Sequence, residues 1–223
     1  MIPIQRNPYQ TVMRFSLLTA FSLAGGLALA FTTGNVLFAS LNVNVSGFGS
    51  GLLALPLVLL GIFGGGALWG YGVARLTGAD KLALARSGAV TFGGVVLVMG
   101  IILEMLFGLI GFLAGSRPIP LHTAFTLVFV PSAGLIATLS TARILRSLRA
   151  RLPVRRIAWT SGMAASLGFL LVNLMMQSQG WIVGAPGAAE RFTMITVMLT
   201  GNVGAALSGG AVLGWMPRKI QHE

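Results

Sequence analysis

The residue best placed to do chemistry is Glu104, a lone carboxylic acid inside a long apolar run with no Lys or Arg between Arg86 and Arg117. At 1.5 Å per helical residue it stands roughly 27 Å from Arg86 and roughly 20 Å from Arg117, close to the middle of a bilayer. An ionised carboxylate is costly there unless water or a cation reaches it. Two roles are open: binding a proton, a cation or a polar solute, or tying two helices together as a protonated acid. Gly100 and Gly108, at i−4 and i+4, predict a face against which another helix presses closely, with Glu104 pointing into the bundle.

Amides supply the other polar atoms. Ser166, Asn173 and Gln177 are spaced by seven and four residues, which puts them on one helical face. Asn173 lies roughly 26 Å from Arg156, so this stripe opens away from the arginines. It either lines a cavity or bonds neighbouring helices. The tetrapeptide Thr-Gly-Asn-Val occurs at 33–36 and again at 200–203. Gly weakens a helix, and Asn and Thr offer the oxygens and amides that an opened helix uses to hold a solute, so Asn35 and Asn202 are candidate half-sites; ordinary helix packing is the alternative. His122, at the start of a span, reads as a boundary residue.

Six arginines and no acid fill the stretch from Arg143 to Arg156. Arg146, Arg149, Arg151, Arg155 and Arg156 within it are expected to meet anionic lipid headgroups, or an acidic partner, at the cytoplasmic face.

Much chemistry is excluded by inventory. The chain has no cysteine and only two histidines, His122 and His222. Thiol nucleophiles, Cys-based zinc sites, iron–sulfur clusters and bis-histidine haem are therefore ruled out. No P-loop is present, and Gly47-Phe48-Gly49-Ser50-Gly51 lacks nucleophile-elbow spacing, so it reads as a flexible outer turn. No catalytic residue, metal site or cofactor is expected. The net charge of +11 belongs to cations that bracket apolar segments, which predicts lipid headgroups as partners and no nucleic acid.

The elements that must position these residues are membrane helices. With 55% hydrophobic and 9% charged residues and a mean hydropathy of +0.88, the 223-residue chain lies outside the range of soluble domains. Six apolar stretches, at about 11–40, 51–75, 87–115, 121–143, 158–183 and 193–216, each exceed the roughly 20 residues that span hydrocarbon. The Ala28-Leu29-Ala30 pattern formally fits a cleavage site, but the run around it is too long for a signal peptide and reads as a retained span. The fold class is thus all-α: one compact bundle of six transmembrane helices in a single domain, with short connections.

Of the 15 cations, 13 fall before the first stretch, in the second and fourth connections, or in the tail. That bias predicts cytoplasmic N and C termini in a bacterial plasma (inner) membrane. Trp69, Tyr71, Trp159 and Trp215 read as interfacial anchors at the cytoplasmic side, and Trp181 as one at the other. Pro131 predicts a kink in the fourth span. Among 31 glycines, the four-residue repeats Gly61/Gly65, Gly66/Gly70 and Gly201/Ala205/Gly209 predict faces of close helix contact. Two function classes fit: a small transporter or solute-binding membrane subunit, or a non-catalytic subunit of a larger complex or homo-oligomer.

Overall fold

The computed structural model describes residues 8–29, 48–114, 121–148, 153–178 and 188–215. Among them the chain is all-helical. Helix α1 (Pro8–Thr19) passes through a π-helical turn at Ala20–Ala24 and continues over 25–29; then come α2 (Phe48–Thr77), α3 (Lys81–Ala114), α4 (Leu121–Ser147), α5 (Val154–Ser178) and α6 (Ala188–Trp215). Five segments, Tyr9–Leu29, Leu55–Thr77, Lys81–Ile102, Val128–Ser147 and Val154–Met176, are long and apolar enough to cross a membrane. The protein is an integral membrane protein.

Burial is inverted relative to a soluble bundle. Leu60, Leu68, Val90, Met105, Met163 and Leu171 are all more than half exposed, while Ser132, Ser140, Thr141, Ser161 and Asn173 are buried. Leucine gains nothing by leaving hydrocarbon, whereas a hydroxyl or amide gains a partner by turning inward, so many large apolar side chains face the lipid while others, such as Trp69, Phe92 and Phe169, fill the core.

Each helix packs on its neighbours in sequence, and α1 closes on α6, so the six helices form a ring. Small residues set the spacing. A Cβ on Gly66 of α2 would sit 2.5 Å from the Gly88 carbonyl oxygen of α3, and a Cβ on Gly26 of α1 would sit 2.5 Å from the Gly61 oxygen of α2. Gly168 and Gly204 bring α5 and α6 together in the same way, and Gly210 and Gly214 seat α6 on the backbone of α1. The repeats Gly61/Gly65 and Gly66/Gly70 thus serve two different neighbours, α1 and α3. Gly201, Ala205 and Gly209 face α5, as their spacing predicts.

One buried cluster joins Phe15, Trp69, Val73, Ala74, Leu84, Ile144, Leu145, Ile157 and Leu213. The start of α1 and the end of α6 therefore lie at the same end of the ring as the α2–α3 and α4–α5 connections. Exposed Arg14, Arg75, Lys81, Arg86, Arg143, Arg146, Arg155 and Arg156 rim this arginine end. The α2–α3 turn is built locally. Gly78, at φ 73°, ends α2 in the left-handed conformation that glycine adopts without strain, and Asp80 Oδ1 accepts the Leu82 and Ala83 N–H groups at 2.9 and 3.1 Å to cap α3.

Several expectations need correction. Residues 48–51 of the glycine-rich segment form the first turn of α2 and not a flexible loop. Pro131 lies inside an uninterrupted α4 with its ring facing outward, which is compatible with the kink expected there, and α2 likewise carries Pro56. Trp69 is no interfacial anchor: it is 1% exposed, whereas Tyr71, Trp159 and Trp215 do face outward. Gly100 is exposed, and a Cβ there would meet nothing within 4 Å, so the close contact expected beside Glu104 does not form at Gly100. The part of the first span beyond residue 29 and the connection up to 47 lie outside the described residues.

Candidate functional site

A cavity of about 60 Å³ lies on the ring axis, and all six helices contribute to its wall. Helical periodicity selects the wall residues. In α4 they are Ala133, Ile136, Ala137, Ser140 and Thr141, and in α6 Asn202, Ala205, Ala206, Gly209 and Leu213, both series following one helical face. Thr19, Leu23, Ala24 and Leu27 of α1, Trp69, Phe92, Ser161 and Ala165 complete it. The π-turn of α1 falls within this series. Its wide turn lets Thr19 below and Leu27 above both stay on the cavity.

The wall is mostly apolar, with a few polar atoms concentrated toward the arginine end. Thr141 Oγ1 donates to Ser161 Oγ at 3.3 Å, and Ser161 Oγ donates to the Gly209 carbonyl at 3.3 Å, a relay that links α4, α5 and α6. Thr19 Oγ1 is committed to its own helix, donating to the Phe15 carbonyl at 2.7 Å. Two wall residues each bury a polar atom that has no hydrogen-bond partner: Trp69, at its indole Nε1, and Ser140, at its hydroxyl, both residues being 1% exposed. An indole N–H can only donate, while a hydroxyl both donates and accepts. Among the described residues no ionisable side chain lines the cavity. It is therefore suited to a small neutral molecule, since an ion would lose its hydration without a countercharge. A water needs roughly 10–15 Å³ measured this way, so there is room for a few waters or one small solute.

One turn beyond Ala133 and Ala165, away from the arginine end, Phe129 and Phe169 stack with centroids 6.4 Å apart and planes 20° apart. Past this pair lies Asn173. It is 5% exposed, its Nδ2 donates to the Phe169 carbonyl at 3.0 Å, and its Oδ1 is buried without a partner. Gly201 makes room for it, because a Cβ there would sit 2.7 Å from Asn173 Nδ2.

The residues singled out in the sequence are dispersed by this arrangement. Asn202 reaches the cavity wall, and the Thr200 to Val203 segment stays inside a continuous α6, so the helix is not opened there. Asn173 is buried but on the far side of the phenylalanine pair. Ser166 Oγ is used between helices, donating to the Val130 carbonyl of α4 at 2.9 Å. Glu104 and Gln177 lie within α3 and α5, but their side chains are outside the described set, as is that of His122. Among the described residues, Phe92 is the α3 residue in the cavity wall, three turns before Glu104 in sequence. Asn35, Arg149 and Arg151 are likewise outside the described residues, while Arg146, Arg155 and Arg156 are exposed at the rim.

Sequence reasoning missed Trp69, Ser140, Thr141 and Ser161. A usable signal existed: Ser140, Thr141 and Ser161 are small hydroxyl residues a few positions inside Arg143 and Arg156, hence at one depth. No protein-family model matches the chain, and no curated protein and no solved structure matches it either.

Proposed function

We propose that the protein is a small membrane transporter, or the solute-binding membrane subunit of one, with no catalytic activity, and that its site is the axial cavity. The ligand is a small uncharged molecule with a hydrogen-bond acceptor for Trp69 Nε1 and a polar group for Ser140 Oγ. The observation that carries this reading is that two residues of one wall each bury a polar atom without a partner. Each buried polar group left unpaired costs about 1–3 kcal/mol, which a bound ligand would offset. Asn202 serves the same site from α6. Beyond Phe129 and Phe169, Asn173, Gln177, Asn35 and Glu104 are proposed to line the approach from the arginine-poor end, with Glu104 as its proton- or cation-binding group.

Trp69 reports on its own site. In a variant carrying Trp159→Phe, Trp181→Phe and Trp215→Phe, the remaining indole is expected to change its emission, and the melting temperature to rise, on titration with small neutral probes such as urea, acetamide or glycerol. If no such probe moves either signal while the fold is intact, the cavity is a structural void filled by water.

We further propose six spans with both termini and the arginine end in the cytoplasm of a bacterial cell, where anionic headgroups surround Arg146, Arg149, Arg151, Arg155 and Arg156. The cysteine-free sequence makes this directly testable. Cysteine introduced by Ser46→Cys is expected to react with an impermeant maleimide in intact cells, and by Ala150→Cys only after the membrane is opened. The reverse pattern would invert the topology, and equal labelling of both in intact cells would mean an even number of spans between them, and not the three expected.

A further inference from the structure

On its outer surface the ring is indented between α3 and α4. Thr91, Gly94 and Val95 on one helix and Leu139, Arg143 and Arg146 on the other line most of a groove of about 460 Å³. Gly94 keeps it deep, because a Cβ there would meet nothing within 4 Å. About one turn closer to the arginine end the same two helices are joined where Ser87 Oγ donates to Ser147 Oγ at 3.0 Å; Ser147 Oγ in turn donates to the Arg143 carbonyl at 3.0 Å.

The groove is amphipathic along its length. Its apolar part runs into the bilayer, and both arginines at its head are exposed. Arg143 lies four residues inside the candidate span that ends at Ser147, or roughly 6 Å below its end, a depth from which guanidinium groups snorkel to phosphates. Asp80, the acid at the start of α3, is occupied in capping that helix. Arginine binds phosphate through a planar fork of donors, so two of them on adjacent turns form a localised anion site and not merely a diffuse positive surface.

We infer that this groove holds one anionic phospholipid, its phosphate between Arg143 and Arg146 and one acyl chain lying along Gly94. The site is independent of the axial cavity. Native mass spectrometry of the full chain in detergent, titrated with phosphatidylglycerol or phosphatidylcholine, tests it. One phosphatidylglycerol is expected to be retained in preference to phosphatidylcholine. Arg143→Gln with Arg146→Gln is expected to weaken retention about thirtyfold. Arg155→Gln with Arg156→Gln, an equal loss of charge, is expected to leave it unchanged. Gly94→Leu, which fills the groove without altering charge, is expected to abolish it, and Ala142→Ile repeats that test from the other helix if Gly94→Leu melts early. Equal losses in the two arginine pairs would reduce the effect to diffuse attraction. Retention in both groove-filled variants, or a second copy of the chain in place of lipid, would overturn the proposal.

Discussion

Leucine at Gly66 or at Gly88 is expected to leave no folded protein. These two residues set the separation of α2 and α3. A Cβ on Gly66 would lie 2.5 Å from the Gly88 oxygen and 3.0 Å from both the Gly88 carbonyl carbon and Phe92 Cβ; one on Gly88 would run into the Gly66 oxygen and lie 3.1 Å from Gly70 Cα. The obstacles are mainly backbone atoms, so no change of rotamer relieves them and the helices must separate. In lipid the separated faces gain nothing by re-associating loosely, because dispersion at close range is what held them.

Alanine already introduces the clash. Gly66→Ala and Gly88→Ala are each expected to lower stability by about 1–3 kcal/mol, against the roughly 1 kcal/mol that alanine gains over glycine in a helix. Gly64 and Gly100 provide the contrast, since a Cβ at either meets nothing within 4 Å. Alanine there is expected to be neutral or stabilising. Thermal melting in mild detergent measures all four, and indistinguishable shifts across the set would show that the close approach does not hold the ring together.

The second large effect has opposite signs in stability and in binding. Ser140→Ala removes a buried hydroxyl with no partner and changes little else in shape, so the ligand-free protein is expected to gain about 1 kcal/mol. The same change removes a hydrogen bond from the bound solute and is expected to weaken binding about tenfold. Trp69→Phe deletes the indole N–H. Because it also enlarges the cavity, its stability effect is mixed, and affinity is the informative measurement, with a loss of similar size expected. Melting temperature without ligand, and the probe concentration that half-saturates the melting shift, separate the two effects. A Ser140→Ala protein that is less stable without ligand would mean the hydroxyl is already satisfied. Unchanged affinity in both variants would remove the cavity from the solute's path.

The architecture was legible in the sequence because it follows from composition and periodicity. Long uncharged runs bounded by cations must be helices in lipid, and glycines repeating at four must lie on one face. That Gly201, Ala205 and Gly209 form one face of close contact follows from spacing alone; that the partner is α5 does not. What spacing cannot supply is the direction in which a face points. Trp69 lies near a cationic boundary just as Trp159 does, yet one fills the core and the other faces outward, a distinction made only when Gly66 and Gly70 draw α3 against α2. The same limit applies to the polar residues. Ser166, Asn173 and Gln177 share a face, but Ser166 bonds α4 while Asn173 abuts α6, since a helix in a ring has two neighbours and a single stripe straddles both. Ser140 and Thr141 do not stand out in the sequence, because isolated hydroxyls in apolar runs usually bond their own backbone, as Thr19 and Ser132 do.

Closure of the ring by α1 and α6 also imposes a timetable on biosynthesis. Phe15 and Leu213 sit in one cluster although nearly the whole sequence separates them. At about 5–20 residues per second, the ribosome needs on the order of ten to forty seconds between them. Throughout that interval the glycine-lined flank of every completed helix bundle lacks its last partner, and the axial chamber is open along one side. The chamber is closed only when the final helix packs against α1 and α5, so a nascent chain stalled before α6 has an open side and no enclosed chamber.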